Sequence, residues 1–85
     1  MVYHAAHIYR IVCLRNDISP GEMLRILDSI SEKGEIPEPF RGRNGFARAL
    51  RVNGIIAPKP PRKRPYTWQP GATFSAFRSY VESIA

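Results

Sequence analysis

The sequence lacks acidic side chains over one long stretch: between Pro39 and Val81 there is neither an aspartate nor a glutamate. The first 38 residues hold four basic and six acidic side chains, so the net charge of +6 comes from the acid-free stretch. A surface of one charge sign repels itself, and a polyanionic partner such as nucleic acid is a common reason to retain it. The basic side chains of this stretch are Arg41, Arg43, Arg48, Arg51, Lys59, Arg62, Lys63, Arg64 and Arg78.

Other absences narrow the class of protein. A single cysteine, Cys13, excludes an intramolecular disulfide, and its apolar neighbours predict a buried thiol in a reducing compartment. No apolar run approaches the roughly 20 residues that a membrane span needs, and the N-terminus lacks the pattern of a signal peptide. We therefore expect a cytoplasmic protein without a membrane partner, folded as one domain over 1–85.

Residues for catalysis or metal binding are also scarce. His4 and His7 lie three positions apart with no carboxylate or second cysteine beside them, and two ligands do not make a metal site. Gly42 and Gly45 lack the spacing of a phosphate-binding loop, and no serine or cysteine has an evident base. The sequence predicts neither an enzyme nor a cofactor.

The clearest helix signal begins at Ser19. This residue can cap a helix, Pro20 suits the first helical position, and Glu22 stands three residues after the cap as a capping box requires. Apolar residues then recur at helical spacing until Gly34, which suits a helix end. The pattern predicts a helix over 20–33.

Two more helices are predicted later in the chain. One covers about 44–53, where Phe46 and Leu50 mark a buried face and Arg48 and Arg51 lie on another side. The last covers about 73–84, and its apolar stripe is either core or the seam of a homodimer. The stripe consists of Phe74, Phe77, Val81 and Ile84.

The remaining segments predict strands. Residues 7–14 are rich in β-branched and aromatic side chains, and 55–57 and 66–68 are shorter runs of the same kind. Four prolines within 58–65 forbid helix and ladder hydrogen bonding, so this basic segment is expected to extend away from the two short strands. The overall expectation is a small α+β fold with about three helices and a two- to three-stranded sheet.

The run FARALRVNGIIAPKPPRKRPYTW, residues 46–68, resembles the helix-and-wing half of winged helix-turn-helix domains. In such domains a basic recognition helix is followed by a strand, a basic wing and a return strand. The resemblance implies a winged-helix-like architecture that binds nucleic acid. It implies that Arg48 and Arg51 lie on the recognition helix, and that Arg62, Lys63 and Arg64 lie on the wing.

The leading hypothesis is a small DNA-binding protein, a bacterial or phage transcription regulator, with its acidic first third facing away from DNA. Arg48, Arg51 and Asn44 are assigned to base reading, with Asn53 as a further amide. Phosphate contacts are assigned to Arg41, Arg43, Lys59 and Lys63, and the basic segment adds Arg62 and Arg64. Two alternatives stay open: a protein-interaction module or inhibitor acting on a nucleic-acid-processing machine, and an RNA-binding or ribosome-associated protein.

Overall fold

The computed structural model describes residues 5–57 and 67–85, and the regular structure in these residues is helical. The helices are α1 (Ala5–Tyr9), which continues as a π-helical turn (Arg10–Leu14), α2 (Pro20–Lys33), a 3-10 turn (Phe40–Gly42), α3 (Phe46–Val52) and α4 (Phe74–Ile84). The described residues contain no strand, so the expected α+β fold and its winged-helix-like architecture are wrong.

The helix predicted over 20–33 is confirmed as α2, and its local signals act as expected. The Ser19 hydroxyl accepts from the backbone N–H of Glu22 at 3.2 Å, and the Ser19 N–H donates to the Glu22 carboxylate at 3.0 Å. At the other end Gly34 has a left-handed φ of 69°, which suits glycine, and its N–H donates to the Ile30 carbonyl at 2.9 Å. All of these contacts are local in sequence.

The strand predicted over 7–14 is helical instead. Ile8, Val12 and Cys13 are buried while Arg10 and Leu14 are exposed, a distribution that a helix produces and a strand with period two does not. A strand also needs a neighbour for its backbone hydrogen bonds. Here α1 packs on α4, where the rings of Tyr9 and Tyr80 meet edge to face at 5.9 Å. Packing against a helix therefore overrides the β-propensity of the run.

The short strands expected around the basic segment reduce to one antiparallel bridge between Ile56 and Pro70. Proline has no N–H to donate, so a ladder cannot extend through Pro70. Tyr66 lies outside the described residues, and Thr67 has no regular structure. Trp68 packs partly buried against the core.

Backbone hydrogen bonds join residues 53–57 to residues 69–73, a contact that we call the junction. The N–H of Ala57 donates to the Gln69 carbonyl at 2.8 Å, and the N–H of Gly71 donates to the Ile55 carbonyl at 2.8 Å. The Thr73 hydroxyl donates to the Asn53 carbonyl at 2.7 Å. The junction connects the end of α3 to the start of α4.

The core lies where α4 packs against both α1 and α2. The helix predicted over 73–84 is confirmed as α4, and most of its apolar stripe is core because Phe74, Phe77 and Val81 are buried, while Ile84 is 41% exposed. The Arg78 guanidinium reaches from α4 to Asp28 of α2 at 2.5 Å. The largest fully buried side chains include Phe40, Phe46, Phe77, Ile8, Met23, Ile26, Leu27, Ile30, Leu50, Ile55 and Ile56.

Replacing Gly71 with alanine is expected to destabilise the protein. A Cβ at this position would lie 2.7 Å from the Ile56 carbonyl oxygen, which is backbone and cannot turn aside. Gly71→Ala should lower the free energy of unfolding by roughly 1–3 kcal/mol, as overpacking does. Gly21→Ala is the matched control, because nothing lies within 4 Å of the added Cβ, and it should be neutral or stabilising by up to about 1 kcal/mol. Urea unfolding measures both; equal stability of the two variants would contradict the close contact at the junction.

Burial raises the pKa of the Cys13 thiol to about 12. The pKa of a cysteine in an unfolded chain is about 8.5, so the folded state favours the neutral thiol. The resulting stabilisation is complete below that value and is lost as the pH rises towards 12. We expect native protein to resist alkylation at pH 8. Between pH 8 and 10 the free energy of unfolding, measured with urea, should fall more for wild type than for Cys13→Ala. An equal fall in the two proteins would contradict the link between this thiol and stability.

Candidate nucleic-acid interface

Helix α3 presents the arginine pair that the sequence singles out. Phe46 and Leu50 are buried and hold the helix on the core, and the Phe46 ring lies 5.8 Å from the Phe40 ring. Burying these two positions leaves Arg48 exposed and Arg51 half-buried. The helix is shorter than the predicted 44–53, and it begins after Gly45.

The amide side chains at the two ends of α3 differ in their surroundings. Asn44 is exposed in the turn before the helix. The Asn53 amide donates to the Ala49 carbonyl at 2.8 Å, so it satisfies a carbonyl of the last helical turn. Asn44 is therefore the better placed of the two for contact with a partner.

Ion pairs in residues 5–57 and 67–85 involve arginines outside α3. Arg78 contacts Asp28 and also Glu82, with 3.4 Å between its Nε and the Glu82 carboxylate. The Asp28 carboxylate, as its hydrogen-bond partner, raises the pKa of Arg78, with smaller contributions from charge attraction to Asp28 and Glu82. Arg48 and Arg51 take part in none of these ion pairs. The positive charge of α3 is thus not neutralised within the part of the chain that the structure describes.

Arg41 makes contacts within its own loop. Its Nε donates to the Ile36 carbonyl at 3.0 Å and lies 3.9 Å from the Glu38 carboxylate. A terminal nitrogen lies 3.8 Å from the Glu35 carboxylate. These side chains are more than half exposed, so the pairs are weak and solvent-screened. The predicted phosphate contact of Arg41 would compete with two carboxylates.

Arg43 contacts the turn that follows the π-helical turn Arg10–Leu14. One guanidinium nitrogen donates to the Asn16 carbonyl at 2.6 Å, and the guanidinium carbon lies 4.9 Å from the centre of the Phe40 ring. Hydrogen bonds from Ser19 lower the pKa of the Glu22 carboxyl, and the nearby Arg43 charge contributes to a smaller extent. Arg43 therefore packs against the first third of the chain and close to one of its carboxylates.

Four predicted site residues, Lys59, Arg62, Lys63 and Arg64, lie outside the described residues. On either side of them in the chain, Ala57 and Gln69 are joined by a hydrogen bond of the junction. Ile55 donates to the Leu50 carbonyl of α3 at 2.9 Å. Two residues span at most about 7 Å, so Ala57 lies close to the C-terminal end of α3.

Two further exposed arginines were not predicted from the sequence as site residues. Arg10 belongs to the π-helical turn, which contacts α3, and Arg15 follows that turn. Both belong to the first 38 residues, in which acidic side chains outnumber basic ones and many of the carboxylates lie in α2 and in residues 35–38. A prediction of helix over 5–14 would have placed these two arginines on a different element from those carboxylates.

The described residues offer no group of three or more metal-binding side chains, and none of their helices is long and apolar enough to cross a membrane. No protein-family model, curated protein or solved structure matches the chain at a significant level.

Arg43 and Arg48 should differ in their effect on stability. Arg43→Ala removes a hydrogen bond and a cation–π contact, which at exposed sites contribute about 0.5–1.5 and about 0.5–1 kcal/mol. We expect it to lower the free energy of unfolding by about 1–2 kcal/mol. Arg48→Ala carries the same charge change and should stay within about 0.5 kcal/mol of wild type. Urea unfolding at one salt concentration compares them, and equal losses would contradict the structural contact of Arg43.

Proposed function

We propose that this protein binds duplex DNA through α3 and acts as a small transcription regulator. One observation carries the proposal: Arg48 and Arg51 project from a helix whose neighbouring sequence holds no acid, and the described ion pairs use other arginines. The basic segment 58–65 attaches beside the C-terminal end of the same helix, through Ala57. The residue that precedes the basic segment therefore lies close to the end of α3.

The dimensions of α3 suit a major groove. An α-helix with its side chains is about 10–12 Å across, and the major groove of B-DNA is about 12 Å wide. A guanidinium fork pairs with O6 and N7 of guanine or with phosphate oxygens. Arg48, the more exposed of the two arginines, is assigned to base edges, with Asn44 beside it in the preceding turn. Arg51 is half-buried and is assigned to base edges or phosphate at the rim of the groove.

The remaining basic residues divide into two groups in this proposal. Lys59, Arg62, Lys63 and Arg64 supply phosphate contacts that raise affinity for any sequence. Arg41 and Arg43 already contact loop and helix groups, so their contribution to binding is smaller than their charge suggests. Binding then depends mainly on α3 and on the basic segment.

Salt dependence tests the proposal directly. Each phosphate that a basic side chain neutralises releases counterions, and about six contacts lose roughly 10³-fold in affinity between about 50 and 200 mM salt. We expect fluorescence anisotropy with a random-sequence duplex to show this decline. Lys63→Ala, which removes a side chain assigned to phosphate contact, should reduce the slope of log K against log salt by about one. Arg25→Ala is the matched control, because it removes one exposed charge from α2 and should leave the slope unchanged.

Three results would overturn the proposal. Affinity that does not change with salt would exclude phosphate contacts. Tighter binding to an RNA duplex or single strand of equal length would favour an RNA-binding protein. A stoichiometric protein partner that survives nuclease treatment, with no duplex binding by the isolated chain, would favour a protein-interaction module.

A further inference from the structure

Next to the arginines of α3 stands an exposed apolar side chain. Val52 is 72% exposed, more than Leu14 at 62% and Ile84 at 41%, the other large apolar side chains that are exposed in the described residues. A single exposed valine is common on protein surfaces and needs no explanation by itself. Its position matters here, because Val52 lies four residues after Arg48 in the same helix.

Residues four apart on a helix are surface neighbours, with Cβ atoms about 5–6 Å apart. Arg48 and Val52 therefore present a planar fork of donors beside two methyl groups. The complementary ligand has paired acceptors beside a methyl group. In the major groove guanine offers O6 and N7, and thymine offers the C5-methyl group. Successive bases are stacked about 3.4 Å apart, so the two groups occur within the reach of this pair.

We propose that Val52 contacts the C5-methyl group of a pyrimidine one or two base pairs from a guanine that Arg48 binds. The inference rests on the proposed DNA binding and adds a specificity determinant to it. Thymine and 5-methylcytosine both carry this methyl group, whereas cytosine and deoxyuridine do not.

The outer face of α3 fits this ligand better than it fits a folded protein. A stable protein interface buries about 800 Å² on each partner, around a core rich in aromatic and other apolar side chains. Seven residues with one exposed apolar side chain, next to two arginines, do not supply such a core. A methyl group flanked by hydrogen-bond acceptors needs only the contact that Val52 and Arg48 offer.

The test begins with duplexes selected from a random pool by wild-type protein. Each thymine of a selected site is then replaced with deoxyuridine, one position at a time. Loss of one methyl contact should weaken wild-type binding about fourfold to tenfold at one position that lies one or two base pairs from a guanine. Cytosine at that position should bind weakly, and 5-methylcytosine should restore part of the affinity.

Val52→Ala should bind the thymine and deoxyuridine duplexes equally while it keeps the preference for the adjacent guanine. Arg48→Ala should lose the guanine preference. Leu14→Ala is the matched control, because it removes an exposed apolar side chain from outside α3 and should keep full discrimination. Retained discrimination by Val52→Ala, or no position sensitive to deoxyuridine, would overturn the inference.

Failure of this inference is distinguishable from failure of DNA binding. A selection that returns no sequence preference, together with salt-dependent binding to random duplex, would overturn the role of Val52 and leave the proposed function standing. Absence of salt-dependent binding would overturn both.

Discussion

The junction is the constraint on which the rest of the structure depends. It sets the end of α3 against the start of α4, through the hydrogen bond of Gly71 to Ile55 and that of Thr73 to Asn53. At Gly71 the backbones approach so closely that a side chain would meet a carbonyl oxygen. Because α4 also packs on α1 and α2, the junction fixes α3 relative to the whole core. The same contacts place Ala57, which precedes the basic segment, beside Gln69, which follows it.

The distribution of ion pairs follows from this arrangement. Where helices pack together, Arg78 of α4 meets a carboxylate of α2 and one of its own helix. In the loop before α3, Arg41 meets the last two carboxylates before the acid-free stretch, Glu35 and Glu38. The basic side chains without such an ion pair in the described residues are Arg48 and Arg51 of α3, together with Arg10, Arg15, Arg25, Lys33 and Arg43. Composition alone does not reveal this, since it counts all arginines equally.

The sequence predicts what is local and misses what depends on packing. Helix α2 was predictable because Ser19, Glu22 and Gly34 form their contacts within one helix. The run 7–14 was not, because its apolar residues suit either period and contact with α4 decides between them. For the candidate site, the spacing of residues in α3 indicated which side is exposed. The hydrogen bond from Arg43 to the Asn16 carbonyl joins residues 27 positions apart, and no local sequence pattern predicts such a contact.

Charge, core size and binding are linked energetically in a chain this short. A domain of this size buries a modest fraction of its surface, so its stability margin is small, and a net charge of +6 reduces it through self-repulsion. A polyanion that binds the folded state relieves that repulsion and stabilises the fold by mass action. Helix α3 is held on the core by two buried side chains and by the junction. Binding of the polyanion to α3 therefore stabilises the whole fold together with this helix. At low salt the DNA affinity and the stability of the bound protein would then rise together, while the free protein would lose stability because its self-repulsion is less screened.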